Sequence, residues 1–226
     1  MGIYQELRRE ADGLWQASFN HPFVRGIADG SLPLESFRYY VIQDAHYLAC
    51  FARAKALAAA KAPDAEAATL FAAHVQNTYR AEAALHEQFL KALGVTADEK
   101  DSTPQAPTAY AYTSHLLRVA HEGSAAEIAA AVLPCYGLYR EIGERLRGAE
   151  PPVELYRKWI EAYGSQWFDQ AVREMIACCD RLAQRCSDAE LDRLRRHFLI
   201  SSYYEWQFWE MAYRREAWPQ SADRPV

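Results

Sequence analysis

Three side chains that can do chemistry lie on the apolar faces of predicted helices: Cys135, Asp44 and Glu205. Apolar residues between positions 128 and 146 recur every three or four residues, which places Cys135 on the inward face of its helix. A thiol there is either a small buried hydrophobe or a nucleophile. A buried carboxylate without a partner costs several kcal/mol or takes up a proton. We therefore expect the two carboxyl groups to be satisfied by neighbouring groups or by a ligand.

The composition predicts long helices that share one core. The chain has 226 residues, half of them hydrophobic, with only ten glycines and ten prolines. No alternation typical of strands is present, so the predicted fold class is all-α. We expect a single helical domain over residues 1–226, with residues 217–226 as a frayed tail. The chain also has 14 tyrosines, 9 phenylalanines and 6 tryptophans, and stacking around a flat ligand is one use for them.

Glycine and proline divide the chain into its predicted helices. Pro134 should bend the helix that carries Cys135. Residues 95–107 are predicted to form the longest loop. The other predicted helices cover residues 3–18, 34–62, 64–93, 108–121, 153–163, 165–185 and 188–215.

Charge and cysteine content argue against several classes of partner. The formal net charge is -5, so no summed field would attract a phosphate backbone, which argues against nucleic acid. Five cysteines without a C-x-x-C pair argue against a disulfide framework and a zinc site, and fit a reducing cytoplasm. No stretch approaches the roughly 18 apolar residues that span a bilayer, and the first 15 residues lack a signal-type apolar run. We expect a cytoplasmic protein that does not bind membranes.

Several motifs, in one order along the chain, match those of a known enzyme family. The central one is Leu133-Pro134-Cys135-Tyr136, read with the runs from Tyr39 to Asp44 and from Ser201 to Trp209. The other matching segments are His21-Pro22-Phe23, Pro107 to Tyr110, Tyr112 to His115, Trp159-Ile160 and Tyr163-Gly164. On these residues the chain strongly resembles the TenA (thiaminase II) family, over about residues 3–218.

The resemblance implies a haem-oxygenase-like multi-helix bundle without haem, usually assembled as a homotetramer. Members of the family hydrolyse the bond between a pyrimidine C5-methylene and its amine, and release 4-amino-5-hydroxymethyl-2-methylpyrimidine. The substrates are 4-amino-5-aminomethyl-2-methylpyrimidine, an intermediate of thiamine salvage, and, less readily, thiamine. The resemblance implies no cofactor and no metal.

The resemblance also implies roles for individual residues. Cys135 resembles the family's nucleophile, Glu205 its general acid, and Asp44 the group that holds the ring's amino edge. Three side chains would form ring-stacking walls, and two would be polar groups near the thiol and the leaving amine: Tyr47, Tyr139 and Phe208, and Tyr112 and Tyr163. A carboxyl group on an apolar face suits a general acid, because burial raises its pKa.

Two positions depart from the family pattern. Gly137 stands where relatives often carry a bulky aromatic residue, which suggests a roomier pocket near the thiol and acceptance of bulkier substrates. His46 stands where tyrosine is common, and we expect it behind the site or at the surface.

A helical di-iron carboxylate oxidase is one alternative function. Such proteins build their site from glutamate and histidine on facing helices, and the candidate ligands are Asp44, His46, His74, Glu82 and His86. That site needs a second carboxylate and histidine pair on the last helix, where Trp209 stands four residues after Glu205.

A non-catalytic pyrimidine-binding or regulatory protein is the other alternative. It would need a basic face. The doublets Arg195-Arg196 and Arg214-Arg215 are more economically interpreted as solvated helix surface.

Overall fold

A computed structural model describes residues 2–219, except for the side chains of residues 81–83, and every regular element in that range is helical. This confirms the all-α prediction for the described residues. No helix among them has an apolar stretch that is long enough to cross a membrane. The helices are α1 (Ile3–Glu10), α2 (Asp12–Phe19), α3 (Pro22–Asp29), α4 (Leu34–Lys61), α5 (Ala65–Asn77), a π-helical turn (Thr78–Glu82), α6 (Ala83–Ala92), α7 (Ala97–Ser102), α8 (Pro107–Glu122), α9 (Ala125–Arg145), α10 (Glu154–Tyr163), α11 (Gln166–Ala183) and α12 (Asp188–Arg214).

Local sequence signals fix the ends of several helices. Ser124 and Glu127 form a capping box at the start of α9, in which each side chain bonds the other residue's backbone N–H. Pro22 and Pro107 begin α3 and α8, where the missing N–H has no helical partner to lose. Helix α3 stops at Gly30, whose φ of 82° lies in the left-handed region that favours glycine.

Three predicted boundaries differ from the structure. The first predicted helix is divided at Ala11 into α1 and α2. The helix predicted over residues 64–93 is interrupted by the π-helical turn. The loop predicted over residues 95–107 contains α7. Thr96 caps the start of this helix, because its side chain accepts from the Glu99 N–H. Short windows of apolar periodicity do not resolve a change of winding over one turn.

The end of the described chain is attached to the fold. Trp218 Nε1 donates to Gln105 O over 2.8 Å, and Tyr39 donates to Glu216 O. The frayed tail predicted from about residue 217 stays a prediction, and Trp218 within it makes this contact with the fold. Residues 220–226 of that predicted tail lie outside the described residues.

Helix α9 lies at the centre of the bundle. It packs against α4, α8, α10, α11 and α12. Almost all residues from Ala125 to Gly143 are buried, and the first half of the helix is rich in alanine, whose small side chain lets neighbouring helices approach. The helix continues through Pro134, which has no N–H to donate to the preceding turn. Four of these neighbours, α4, α8, α10 and α12, carry predicted site residues, so the packing of α9 brings them towards Cys135.

Gly137 faces α1 and α2. A Cβ atom at this position would lie 2.3 Å from Tyr4 Oη and 2.7 Å from Trp15 Cη2. Two residues along an α-helix are roughly 200° apart, so Gly137 and Cys135 point in nearly opposite directions. The hypothesis that Gly137 widens the pocket is therefore wrong. Glycine here allows two aromatic side chains to reach the backbone of α9.

We expect Gly137→Ala to destabilise the fold, because the added methyl group would overlap Tyr4 and Trp15. Overpacking of a core costs about 1–3 kcal/mol. Gly13→Ala in α2 is the matched control, since nothing lies within 4 Å of the position that its Cβ atom would take. Alanine at position 13 should stabilise the fold by roughly 0.5–1 kcal/mol. Urea unfolding measures both changes, and a Gly137→Ala protein as stable as the parent would contradict this packing.

Candidate active site

A narrow cleft lies beside Cys135. Its volume is about 20 Å³, which is room for a single water molecule but not for an aromatic ring. A larger ligand therefore requires the lining side chains to move apart. Asp44, Cys135, Tyr139 and Tyr163, four of the predicted site residues, line this cleft together.

A wider groove adjoins the cleft on the side of α4 and α6. The groove has a volume of about 780 Å³ and is lined by Leu48 and His86, among others. Leu48 lines both the groove and the cleft. The side chain of Leu48 is thus a boundary that a ligand passing from the groove to Cys135 would meet.

A run of hydrogen bonds connects the thiol of Cys135 to the carboxyl group of Glu205. The Tyr47 hydroxyl bonds the thiol and lies 3.4 Å from the Tyr112 hydroxyl. Tyr112 in turn donates to Glu205 Oε1 over 2.6 Å. These four residues, which we call the thiol–carboxyl run, come from α4, α8, α9 and α12. The run therefore depends on the tertiary packing of all four helices.

The two tyrosines of the run keep their protons near neutral pH. Burial raises the pKa of Tyr47 well above its ordinary value, and the neighbouring Cys135 thiol acts in the same direction. Burial is also the largest cause that raises the pKa of Tyr112, and the neighbouring carboxyl group of Glu205 raises it further. Both hydroxyls are thus available as hydrogen-bond donors and acceptors.

The Glu205 carboxyl group is buried, and burial raises its pKa to about 8. The carboxylate of Asp44 adds to this rise, while the hydrogen bond from Tyr112 opposes it. Glu205 therefore carries a proton near pH 7. A buried carboxyl group in this state can give a proton to a neighbouring base.

Asp44 has a partner that the sequence did not predict. Its Oδ2 atom lies 2.8 Å from Nε2 of His86, and both side chains are buried. His86 comes from α6, so a second helix satisfies the carboxyl group that interrupts the apolar face of α4. Asp44 also lines the cleft, where it is within reach of a ligand.

Aromatic rings surround the polar groups. The rings of Tyr47 and Phe208 lie 5.8 Å apart in an edge-to-face arrangement, and those of Tyr139 and Tyr163 lie 4.7 Å apart. Tyr40 bonds the Tyr139 hydroxyl over 3.1 Å. All eight predicted site residues are therefore in the cleft, in the thiol–carboxyl run, or in ring contact with the run.

Several side chains at the site were not predicted as site residues. His86 was considered only as a metal ligand, and its contact with Asp44 depends on how α6 packs on α4. Tyr136 was part of the matched motif, but no role was predicted for it. The cleft-lining residues without a predicted role are Leu48, Phe51, Tyr136 and Phe168.

Apart from the pair of Asp44 and His86, the described candidate ligands of a di-iron site do not converge. His46 Nε2 contacts Thr103 O at 3.1 Å, and His74 Nδ1 contacts the Tyr136 hydroxyl at 2.9 Å. The Glu82 side chain lies outside the described part of the structure. Within that part, no three histidine, cysteine, aspartate or glutamate side chains form a group that could hold a metal ion. His46 is half-buried, and its place behind the site or at the surface stays a prediction.

The arginine doublets of the last helix belong to surface ion pairs. Arg195 contacts Glu10 and Asp192, both at 2.9 Å. Arg214 pairs with Glu210 on its own helix. These contacts agree with the interpretation of the doublets as solvated helix surface.

Comparison with known proteins identifies the family. The model of the TENA/THI-4/PQQC family matches residues 8–215. The chain belongs to this family. A curated relative from Bacillus subtilis (strain 168), named aminopyrimidine aminohydrolase, is 46% identical over 226 residues, which cover 100% of this chain and 96% of the relative.

Solved structures agree with this assignment. A TenA homologue from P. horikoshii OT3 superposes with a TM-score of 0.87 at 32% identity, and the match covers 95% of this chain and 99% of the homologue. A domain of unknown function with a haem-oxygenase-like fold, from Shewanella denitrificans OS217, has a TM-score of 0.73 at 13% identity and covers 94% and 92% of the two chains. The second likeness concerns the fold alone and confirms the predicted haem-oxygenase-like bundle.

The raised pKa of Glu205 predicts a pH-dependent contribution to stability. Between pH 4.5 and about 8, this group is ionised in the unfolded chain but protonated in the native state, so the parent loses stability as the pH rises. Glu205→Gln has no such proton. The stability of this variant relative to the parent should therefore rise by roughly 1 kcal/mol per pH unit between pH 5.5 and 7.5.

Denaturant unfolding at several pH values measures this difference. Glu190→Gln on the same helix is the control: its backbone hydrogen bond from Ser187 lowers the pKa of Glu190, so the group is ionised in both states over this range. The control difference should not change with pH. A constant difference for Glu205→Gln would show that this carboxyl group is ionised in the native protein.

Proposed function

We propose that this protein is an aminopyrimidine aminohydrolase of thiamine salvage. It hydrolyses 4-amino-5-aminomethyl-2-methylpyrimidine and, less readily, thiamine, to 4-amino-5-hydroxymethyl-2-methylpyrimidine. Family membership and the name of the relative from Bacillus subtilis support this proposal. The observation that carries it is the thiol–carboxyl run, which joins a cysteine to a protonated carboxyl group beside a second carboxyl group, Asp44.

The reaction begins with addition of the Cys135 thiolate to ring C6. A carbon–sulfur bond forms, and Glu205 gives its proton to ring N1, so the ring is no longer aromatic. Electrons of the ring then expel the amine from the C5-methylene; the amine is bound in its ammonium form and leaves as neutral ammonia with the electron pair of the carbon–nitrogen bond. Water adds to the exocyclic methylene and gives one proton to the released ammonia. The N1 proton returns to Glu205, and the thiolate departs.

Binding of the substrate requires the ring to enter a closed site. Asp44 accepts from the 4-amino group, and a charge-assisted hydrogen bond of this kind fixes the orientation of the ring. The rings of Tyr47, Tyr139 and Phe208 stack around the pyrimidine, while Tyr163 lies near the leaving amine. Since the cleft holds only about 20 Å³, the side chains between it and the outer groove, Leu48 first, move when the substrate enters.

The protein acts in the cytoplasm as a homotetramer, in this proposal. The family resemblance supports the tetramer. Five cysteines without a C-x-x-C pair support a reducing cytoplasm. Exposed tyrosines on α8 and α12, Tyr110 and Tyr203, offer apolar surface of the kind that subunits cover. Light scattering on the protein as it elutes from a size-exclusion column gives the number of chains per particle. A monomer would contradict the proposed homotetramer.

Cys135→Ser should abolish hydrolysis of the aminomethylpyrimidine, to below about 0.1% of the parent rate, because a hydroxyl group is far less ionised than a thiol. Cys50→Ser is the control, since Cys50 is also half-buried on a helix next to the site but lies outside the cleft. It should keep most of the activity. Release of hydroxymethylpyrimidine is measured by chromatography, and substantial release by Cys135→Ser would refute the covalent mechanism.

Substitutions of the two carboxyl groups should have different effects on binding and rate. Glu205→Gln should keep much of the ring binding and lose mainly kcat, by about 10²- to 10⁴-fold, because Glu205 acts in the proton transfers. Asp44→Asn should weaken binding along with rate, since its contact exists in both the ground state and the transition state. Calorimetric titration with the hydroxymethylpyrimidine product measures binding directly. Loss of binding by Glu205→Gln with normal single-turnover chemistry would reverse the assignments.

A further inference from the structure

Lys55 is fully buried in the C-terminal half of α4, although lysine side chains rarely leave water entirely. Its Nζ atom contacts three oxygen atoms. It donates to His74 O over 3.2 Å, to the Tyr136 hydroxyl over 3.1 Å, and to Thr78 Oγ1. A buried charge is costly unless polar groups satisfy it. The three oxygens are hydrogen-bond acceptors that satisfy this buried amine.

The pattern of donors indicates that the amine is charged. His74 O is a carbonyl oxygen and can only accept. The Thr78 hydroxyl donates its own proton to His74 O over 3.1 Å, so it accepts from Lys55. The Tyr136 hydroxyl accepts from Lys55 in the same way when it donates to His74 Nδ1, which lies 2.9 Å away. Three N–H donors are then needed at Nζ, and only the ammonium form has three.

His74 completes this arrangement as a neutral ring. Burial lowers the pKa of His74, and the charge of Lys55 lowers it further. Its Nε2 atom lies 3.5 Å from Glu174 Oε2, without the geometry of a hydrogen bond. A neutral ring can accept at Nδ1. The Tyr136 phenol is thus held between the ammonium group and the imidazole.

The ammonium group lies against the aromatic wall of the cleft. Nζ is 4.1 Å from the ring centroid of Phe51 and 5.4 Å from that of Tyr136. Both rings line the same cleft as Cys135, and Tyr136 is its neighbour in the chain. The positive charge is therefore separated from the thiol's cleft by these rings, in an interior where water does not screen it.

Few of the other groups around the cleft carry charge near neutral pH. Burial raises the pKa of four of them, which keeps them protonated: Tyr47, Tyr112, Tyr139 and Glu205. Among the described residues, the other titratable side chains around the cleft and behind it are Asp44 with its partner His86, Tyr136, Tyr163, and His74 with Glu174 beside it. The ammonium of Lys55 is thus a fixed positive charge within a largely neutral shell.

We propose that Lys55 is a positioning residue whose buried ammonium group stabilises the thiolate of Cys135 and holds Tyr136 against the cleft. A nearby cation favours a thiolate over a thiol. The buried ammonium group thereby increases the fraction of Cys135 that is thiolate at neutral pH. The catalytic consequence rests on the proposed function of Cys135, whereas the effect on thiol ionisation does not.

The pH dependence of alkylation by iodoacetamide tests this proposal. The rate at Cys135 is followed on the intact protein by mass spectrometry of the peptide that contains it. Lys55→Met and Lys55→Gln remove the charge, and each should raise the midpoint pH of alkylation by about one unit. At pH 7, kcat for the aminomethylpyrimidine should fall about tenfold with little change in KM, and part of the loss should be recovered at higher pH.

Two controls separate charge from packing. Lys61→Gln removes a lysine from the exposed end of the same helix, where Nζ contacts His121 O and Gly123 O, and should leave the alkylation midpoint unchanged. Thr78→Val removes one acceptor but keeps the ammonium, and should shift the midpoint less than Lys55→Met.

An unchanged alkylation midpoint in folded Lys55→Met or Lys55→Gln, with circular dichroism like the parent's, would overturn the proposal. If both variants fail to fold, the parent protein decides: a midpoint at or above about 8.5, the value of an ordinary thiol, also overturns it. Failure of the proposed function is distinguishable, because it would leave the alkylation shift intact in a protein that does not hydrolyse the aminomethylpyrimidine.

Discussion

The hydrogen bond between Tyr112 and Glu205 is the interaction on which the site depends. A carboxyl group removed from water must be neutral or well paired, and the 2.6 Å bond from Tyr112 gives Glu205 a partner without ionising it. Tyr112 is itself fixed by the ring of Tyr204, which stacks on it with centroids 5.4 Å apart and planes at 17°. Helices α8 and α12 must therefore keep their spacing for the buried carboxyl group to keep its hydrogen-bond partner.

The closed state of the cleft and the raised pKa of Glu205 have the same cause. Alanines along α9 allow close packing, and the aromatic side chains that fill the remaining space leave a cavity of only about 20 Å³. Exclusion of water is the largest reason why Glu205 stays protonated. Entry of a ring must displace these side chains without admitting bulk water, because water would lower the pKa and remove the proton.

The candidate reactive groups could be predicted from the sequence, but several of their contacts with other helices could not. Asp44, Cys135 and Glu205 were predicted because a polar side chain that interrupts an apolar face can be recognised within a single helix. The contacts of His86 and Lys55 depend on the register between helices, which periodicity does not encode. Gly137 is the opposite case: residues two apart on a helix do not share a face, so helical geometry alone excludes this residue from the pocket of Cys135.

The position of Tyr47 explains how the thiol and the carboxyl group can change protonation without disturbing each other. Its hydroxyl has one proton and two neighbours, the Cys135 thiol and the Tyr112 oxygen, and the contact with Tyr112 is long at 3.4 Å. When the thiol ionises, this proton can turn to the sulfur, where a charge-assisted bond is roughly twice as strong as a neutral one. Tyr112 loses only a weak donor and keeps its own bond to Glu205. Ionisation of the thiol is therefore compatible with a protonated carboxyl group at the other end of the run, which is the combination that the proposed addition to a pyrimidine ring requires.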